Sequence, residues 1–89
     1  MVSESVTVVN KMGFHMRPAS LFVQEMSRFR SSITLDYNGR IIDGKSIMNV
    51  MASCIKCGTE LVVRCDGPDE GEMLQAAVAL VNNKLGDPE

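Results

Sequence analysis

The chain lacks tryptophan, holds one tyrosine, three phenylalanines and a single histidine, and only 4% of its 89 residues are aromatic. Its core must therefore be aliphatic, with seven methionines as adaptable filler or as contact surface. No apolar run approaches the roughly 18 residues a membrane-crossing helix requires, and the N-terminus lacks a basic segment followed by an apolar one. A soluble protein without a signal peptide or membrane insertion is expected. Three cysteines, Cys54, Cys57 and Cys65, are too few and too oddly numbered for a secreted disulfide framework, so a reducing cytoplasm is the expected compartment. Cys54 and Cys57 have the spacing of half a zinc site, with Cys65 and His15 as conceivable further ligands. Ligation would remove His15 as a nucleophile, however, and a lone C-x-x-C is weak evidence, so packing is expected, with no metal and no cofactor.

What is present suits one small domain, residues 1–89, with one core: 45% hydrophobic and 22% charged residues. A net charge of −2 argues against general nucleic-acid binding. The charge is uneven, +3 over residues 1–65 and −5 over residues 66–89. The half that holds His15 is basic, which suits a phosphate or an acidic partner.

Glu4 to Val9 alternates with period two and reads as a half-buried strand. After Pro18, the residues Ala19, Phe22, Val23 and Met26 fall on one helical face that continues to about Phe29, with Leu21 off the stripe. Ser32 to Tyr37 alternates again, Asn38-Gly39 supplies a tight hairpin turn, and Arg40 to Asp43 returns. Ser46 is a good N-cap for a short helix over Ile47 to Ser53, in which Val50 is the core candidate. Glu60 to Asp66 is a fourth strand. A last helix starts at Asp69 with Glu72 as its capping-box partner, buries Leu74, Ala77, Val78, Val81 and Leu85, and stops at Gly86, leaving Asp87-Pro88-Glu89 as a tail. Alternating strands predict a sheet with one face covered by helices and the other in water.

The stretch from Met12 to Ser20 concentrates the chemistry. Gly13 permits a turn, Pro18 marks a helix start, and between them lie an imidazole, His15, and a guanidinium, Arg17. A neutral imidazole is a nucleophile near neutral pH, a guanidinium holds anions, and a helix start offers unpaired N–H groups. Together these describe an anion site around one nucleophile. Because residues before proline avoid the helical region, the sequence by itself places the cap at Arg17.

The run Gly13-Phe14-His15-Met16-Arg17-Pro18-Ala19 and the run Gly44-Lys45-Ser46-Ile47-Met48-Asn49-Val50-Met51, in this order and at this separation, resemble HPr, the histidine-containing phosphocarrier family of the bacterial sugar phosphotransferase system. The resemblance covers essentially the whole chain. It implies an α+β open-faced β-sandwich, four antiparallel strands in the order 1-4-2-3 with three helices on one face, and a first helix beginning at about His15 or Met16. It also implies a carrier rather than an enzyme. His15 would accept a phosphoryl group on Nδ1 from enzyme I and pass it to IIA domains of sugar permeases, with Arg17 against the phosphoryl oxygens. Ser46 resembles the regulatory site of HPr kinase/phosphorylase. Met16, Ser20, Leu21, Gln24, Ser27, Lys45, Ile47, Met48 and Met51 are the expected partner contacts of a monomer, although a methionine stripe is also a usual core feature. Met16 departs from the family's usual Ala and adds bulk beside the nucleophile. The alternative from another class is a regulatory binding module whose phospho-Ser46 form acts as corepressor of a catabolite-control repressor.

Overall fold

The computed structural model describes residues 1–86. In chain order it contains β1 (Val2–Thr7), α1 (Met16–Met26), β2 (Ser32–Tyr37), β3 (Arg40–Asp43), α2 (Ile47–Ala52), β4 (Glu60–Asp66) and α3 (Glu70–Asn82), then a short turn at Lys84–Gly86. The strands form one antiparallel sheet in the order β1-β4-β2-β3, the order implied by the family resemblance. Alternation sets its faces. Leu61, Val63 and Cys65 of β4, Ile33 and Leu35 of β2, Val6 of β1 and Ile42 of β3 are buried. They form one core with Phe22 and Met26 of α1, Val50 of α2, and Met73, Ala77 and Val81 of α3. The other face carries polar neighbours such as Arg64, whose guanidinium donates to Asp36 at 2.8 Å.

The β2–β3 hairpin turns on Asn38 and Gly39, both at positive φ (55° and 83°), as the Asn-Gly pair demands. Ser46 caps α2, its hydroxyl oxygen accepting from the Asn49 N–H at 3.2 Å.

Besides α2, which ends at Ala52 with Ser53 as its C-cap, four expectations at element ends need correction. The first strand runs from Val2 to Thr7 rather than Glu4 to Val9, because its extent is decided by pairing with β4, Val2 opposite Cys65 and Thr7 opposite Glu60. The first helix stops at Met26, not Phe29. There the N–H groups of Arg28 and Phe29 turn to the carbonyls three residues back, and the Lys45 ammonium donates to the Phe29 carbonyl at 2.8 Å. The last helix ends at Asn82, not Gly86. Lys84 and Leu85 take left-handed φ of 60° and 53°, a turn that still buries Leu85. Its stripe includes Met73, while Leu74 and Val78 are only half-buried. The tail at 87–89 lies outside the described residues.

The fourth correction concerns Asp69. It is the N-cap of α3, but its side chain makes no capping bond, and no capping box forms with Glu72. The carboxylate reaches across to the segment before β2. It accepts from the N–H of Arg30 at 3.0 Å, the N–H of Ser31 at 2.9 Å and the Ser31 hydroxyl at 2.5 Å. The Ser31 hydroxyl and then the Arg30 N–H hold this carboxyl down at about 2. Since the folded state favours the ionised form, its stabilisation is present above the ordinary carboxylate value of 3.8 and is lost as the pH falls toward 2. Asp69→Asn should lower the urea midpoint at pH 7, and its stability should fall less between pH 4 and pH 2 than that of the parent.

The three thiols divide by environment. Cys65 faces the core, and burial first, then the Glu70 and Asp69 carboxylates, push its thiol up to about 11, whereas Cys54 and Cys57 are exposed. A thiol reagent at pH 8 should modify two cysteines of the native protein quickly and the third only in denaturant. Three fast reactions would contradict the inward placement of Cys65.

Candidate functional site

The segment leading into α1 is held almost entirely by backbone. Asn10 to Gly13 forms a tight turn in which the Gly13 N–H donates to the Asn10 carbonyl at 3.2 Å. The buried Asn10 amide closes it by donating to the Gly13 carbonyl at 2.7 Å. Gly13 has φ +63°, and a Cβ there would lie 2.2 Å from the Ile55 carbonyl oxygen and 2.8 Å from the Lys56 Cα. No side chain fits, so the loop lies flat against the segment between α2 and β4. The same Ile55 carbonyl accepts the Phe14 N–H at 3.0 Å. The buried Phe14 ring meets Phe22 edge-on, with centroids 5.4 Å apart and planes at 86°.

With Phe14 turned inward, His15 comes next as the N-cap of α1 (φ −85°, ψ −173°). Its carbonyl accepts the Ala19 N–H at 2.9 Å, the first bond of the helix, and its side chain makes no capping bond. The cap is therefore His15, not Arg17. Proline only disfavours the helical region for its predecessor, and here Pro18 is the third helical residue, where an N–H would have no acceptor within the helix. The first-turn donors that the helix itself leaves unused are the N–H groups of Met16 and Arg17. Arg17 is exposed in that same turn. A half-exposed imidazole, two backbone donors and a guanidinium thus share one helix end, a setting that favours an anion.

α1 packs beside α2. Met16 (66%), Met48 (82%) and Ile47 (40%) are exposed large apolar side chains on these two helices. Gln24 and Ser27 are exposed, Ser27 as the C-cap of α1, and Ser20 and Ser46 are half-buried. Three other expected contacts have structural work as well. Met51 and Leu21 are half-buried, Met51 packed on the core and Leu21 beside Gly86, and Lys45 is bonded to the Phe29 carbonyl. Among the described residues there is no ligand-sized pocket and no group of three or more metal-ligating side chains, and no helix is long and apolar enough to cross a membrane. The chemistry lies on open surface.

Asn10 and Ile55 support the site without having been singled out from the sequence. The Asn-Lys-Met-Gly order carries a signal for Asn10, since Asn opens and Gly closes the commonest tight turn. Nothing local marks Ile55, whose contribution is a carbonyl brought in from 41 residues along the chain.

Comparison with known proteins agrees with this geometry. Residues 2–83 match the family model for the PTS HPr component phosphorylation site. The chain is 37% identical to the phosphocarrier protein HPr of Cupriavidus necator over 89 residues, covering all of both chains. It is 46% identical to that of Treponema pallidum over 85 residues, 96% of this chain and 97% of the other. It is also 40% identical to the HPr-like protein Crh of Bacillus subtilis over 85 residues, 96% of this chain and all of Crh. Among solved structures, HPr-C-His from Thermoanaerobacter tengcongensis superposes with a TM-score of 0.94 at 35% identity over the whole of both chains. An HPr dimer from the same organism gives 0.77 at 36% identity, covering 98% of this chain and 100% of the other. The chain belongs to the HPr family, phosphocarrier proteins of the phosphotransferase system that carry a phosphoryl group rather than catalyse its transfer.

Proposed function

We propose that His15 accepts a phosphoryl group from phosphorylated enzyme I and passes it to IIA domains of sugar permeases in the cytoplasm. The observation that carries this reading is the half-exposed imidazole set as the N-cap of α1, beside Arg17 and on a surface where the described residues form no pocket. A phosphoryl–imidazole bond is labile enough to be given up again, where a serine ester would hold. In family members the linking atom is Nδ1. The unused N–H groups of Met16 and Arg17 and the Arg17 guanidinium supply hydrogen bonds and charge to the phosphoryl oxygens on both sides of the transfer. Met16, Ile47 and Met48 form the apolar part of the docking surface, with Ser20, Leu21, Gln24, Ser27, Lys45 and Met51 at its rim. Flexible methionines suit a surface that several partners share. We take a monomer as the working form, although relatives such as the HPr of Thermoanaerobacter tengcongensis and Crh of Bacillus subtilis have been solved as dimers.

Ser46 is the regulatory position. A phosphate there adds nearly two negative charges at the start of α2, which suits that helix but puts charge beside α1 and the docking surface. The second reading, a regulatory module read in its phospho-Ser46 form by a catabolite-control repressor, draws support from the likeness to Crh, the catabolite repression HPr of Bacillus subtilis. HPr kinase/phosphorylase would supply that phosphate.

Incubation with phosphoenolpyruvate and enzyme I should place an acid-labile phosphate on the parent protein and none on His15→Ala. Loss of one charge-assisted contact of about 1.5–3 kcal/mol predicts that Arg17→Ala slows the step roughly 10- to 100-fold with an unchanged unfolding midpoint. Transfer at the parent rate would remove Arg17 from the site.

Ser46→Asp separates charge from folding, since Asp caps a helix as well as Ser, whereas Ala would cost about 1 kcal/mol. It should fold like the parent and take phosphate from enzyme I more slowly. An acid-stable label from ATP and HPr kinase/phosphorylase, absent in Ser46→Ala, is the matching result for the regulatory role.

A further inference from the structure

The geometry points to Lys56 as a positioning residue of the phosphoryl site, a second cation that acts with Arg17 on a phosphoryl group arriving at His15. This inference rests on His15 being the acceptor. The backbone of residue 56 is part of the surface against which the His15 loop is pressed. A Cβ on Gly13 would stand 2.8 Å from the Lys56 Cα, and the preceding carbonyl holds Phe14, the neighbour of His15. The segment is anchored beyond Lys56 as well, where the Gly58 N–H donates to the Val8 carbonyl at 2.7 Å and the Val8 N–H to the Thr59 carbonyl at 2.9 Å. The root of the Lys56 side chain is therefore fixed next to a residue two positions from His15.

Its ammonium is not engaged in the fold. Lys56 is exposed, and no ion pair or hydrogen bond among the described residues involves its side chain. The sequence on either side of Lys56 and of His15 is poor in opposing charge. Residues 5–24, which contain the loop and α1, and residues 44–59, which contain α2 and the Ile55 segment, hold Lys11, Arg17, Lys45 and Lys56 and not one Asp or Glu. Of these cations Lys45 is directed to the Phe29 carbonyl. A flexible four-carbon stem carrying a compact charge beside the His15 loop, in a stretch free of carboxylates, is suited to a phosphoryl dianion.

A small donor separates this effect from protein docking. With phosphoramidate, the P–N bond of the donor breaks as a ring nitrogen of His15 forms the new P–N bond, and the ring proton leaves with the departing nitrogen as ammonia. Phosphorus NMR follows the product. Lys56→Gln should be labelled about 3- to 10-fold more slowly than the parent at low salt. The gap should narrow in 0.5 M salt, and Lys56→Arg should regain the parent rate. A Lys56→Gln protein labelled as fast as the parent, or a Lys56→Arg protein as slow as Lys56→Gln, overturns the role of Lys56 and leaves His15 as acceptor. A parent protein that takes no phosphate on His15 overturns both.

Discussion

The contact on which the rest depends is between two pieces of backbone: residue 13 lying against the carbonyl of residue 55. Only glycine permits that approach, and its positive φ turns the chain so that Phe14 drops onto Phe22 and His15 emerges at the start of α1. The place of His15 at the helix start follows from what its neighbours bury. Truncating a buried phenylalanine costs about 3–5 kcal/mol, a large share of the stability of a domain this small, so the loop that presents His15 is as firmly held as the core itself.

Much of this was legible in the sequence wherever a local rule had no competitor. Asn38-Gly39 leaves the chain little choice but a hairpin, Ser46 before an apolar turn is a cap, and the alternation of Ile33 and Leu35 declares one buried face. The misreadings fall where a distant partner outbids a local one. Asp69 has a helix of its own to cap, yet Ser31 and Arg30 offer three donors at once. Arg17 precedes a proline, yet the loop pinned by Ile55 has already committed the chain to a helix two residues earlier. The expected stripe of the last helix is phased on Leu74 and leaves Met73 out, since only packing against the sheet decides which of two adjacent apolar residues turns inward.

The starts of α1 and α2, at His15 and Ser46, make different demands on the fold. His15 needs a rigid loop and an open front, and a change at Gly13 or Phe14 would disturb it. Ser46 needs only to be the cap it already is, since a charged oxygen at that position serves the helix as well as the hydroxyl does. A negative charge at Ser46 is thus compatible with the α2 cap and leaves the backbone that holds His15 in place.

That the described residues form no pocket has a consequence for how such a protein can change over time. A site without walls leaves the exclusion of water and the remaining half of the transfer geometry to whichever protein sits on it. Selectivity is then stored mostly in the visitors. New partners can be recruited by altering exposed methionines and charges at the margin, while the histidine, the turn beneath it and the helix behind it stay as they are.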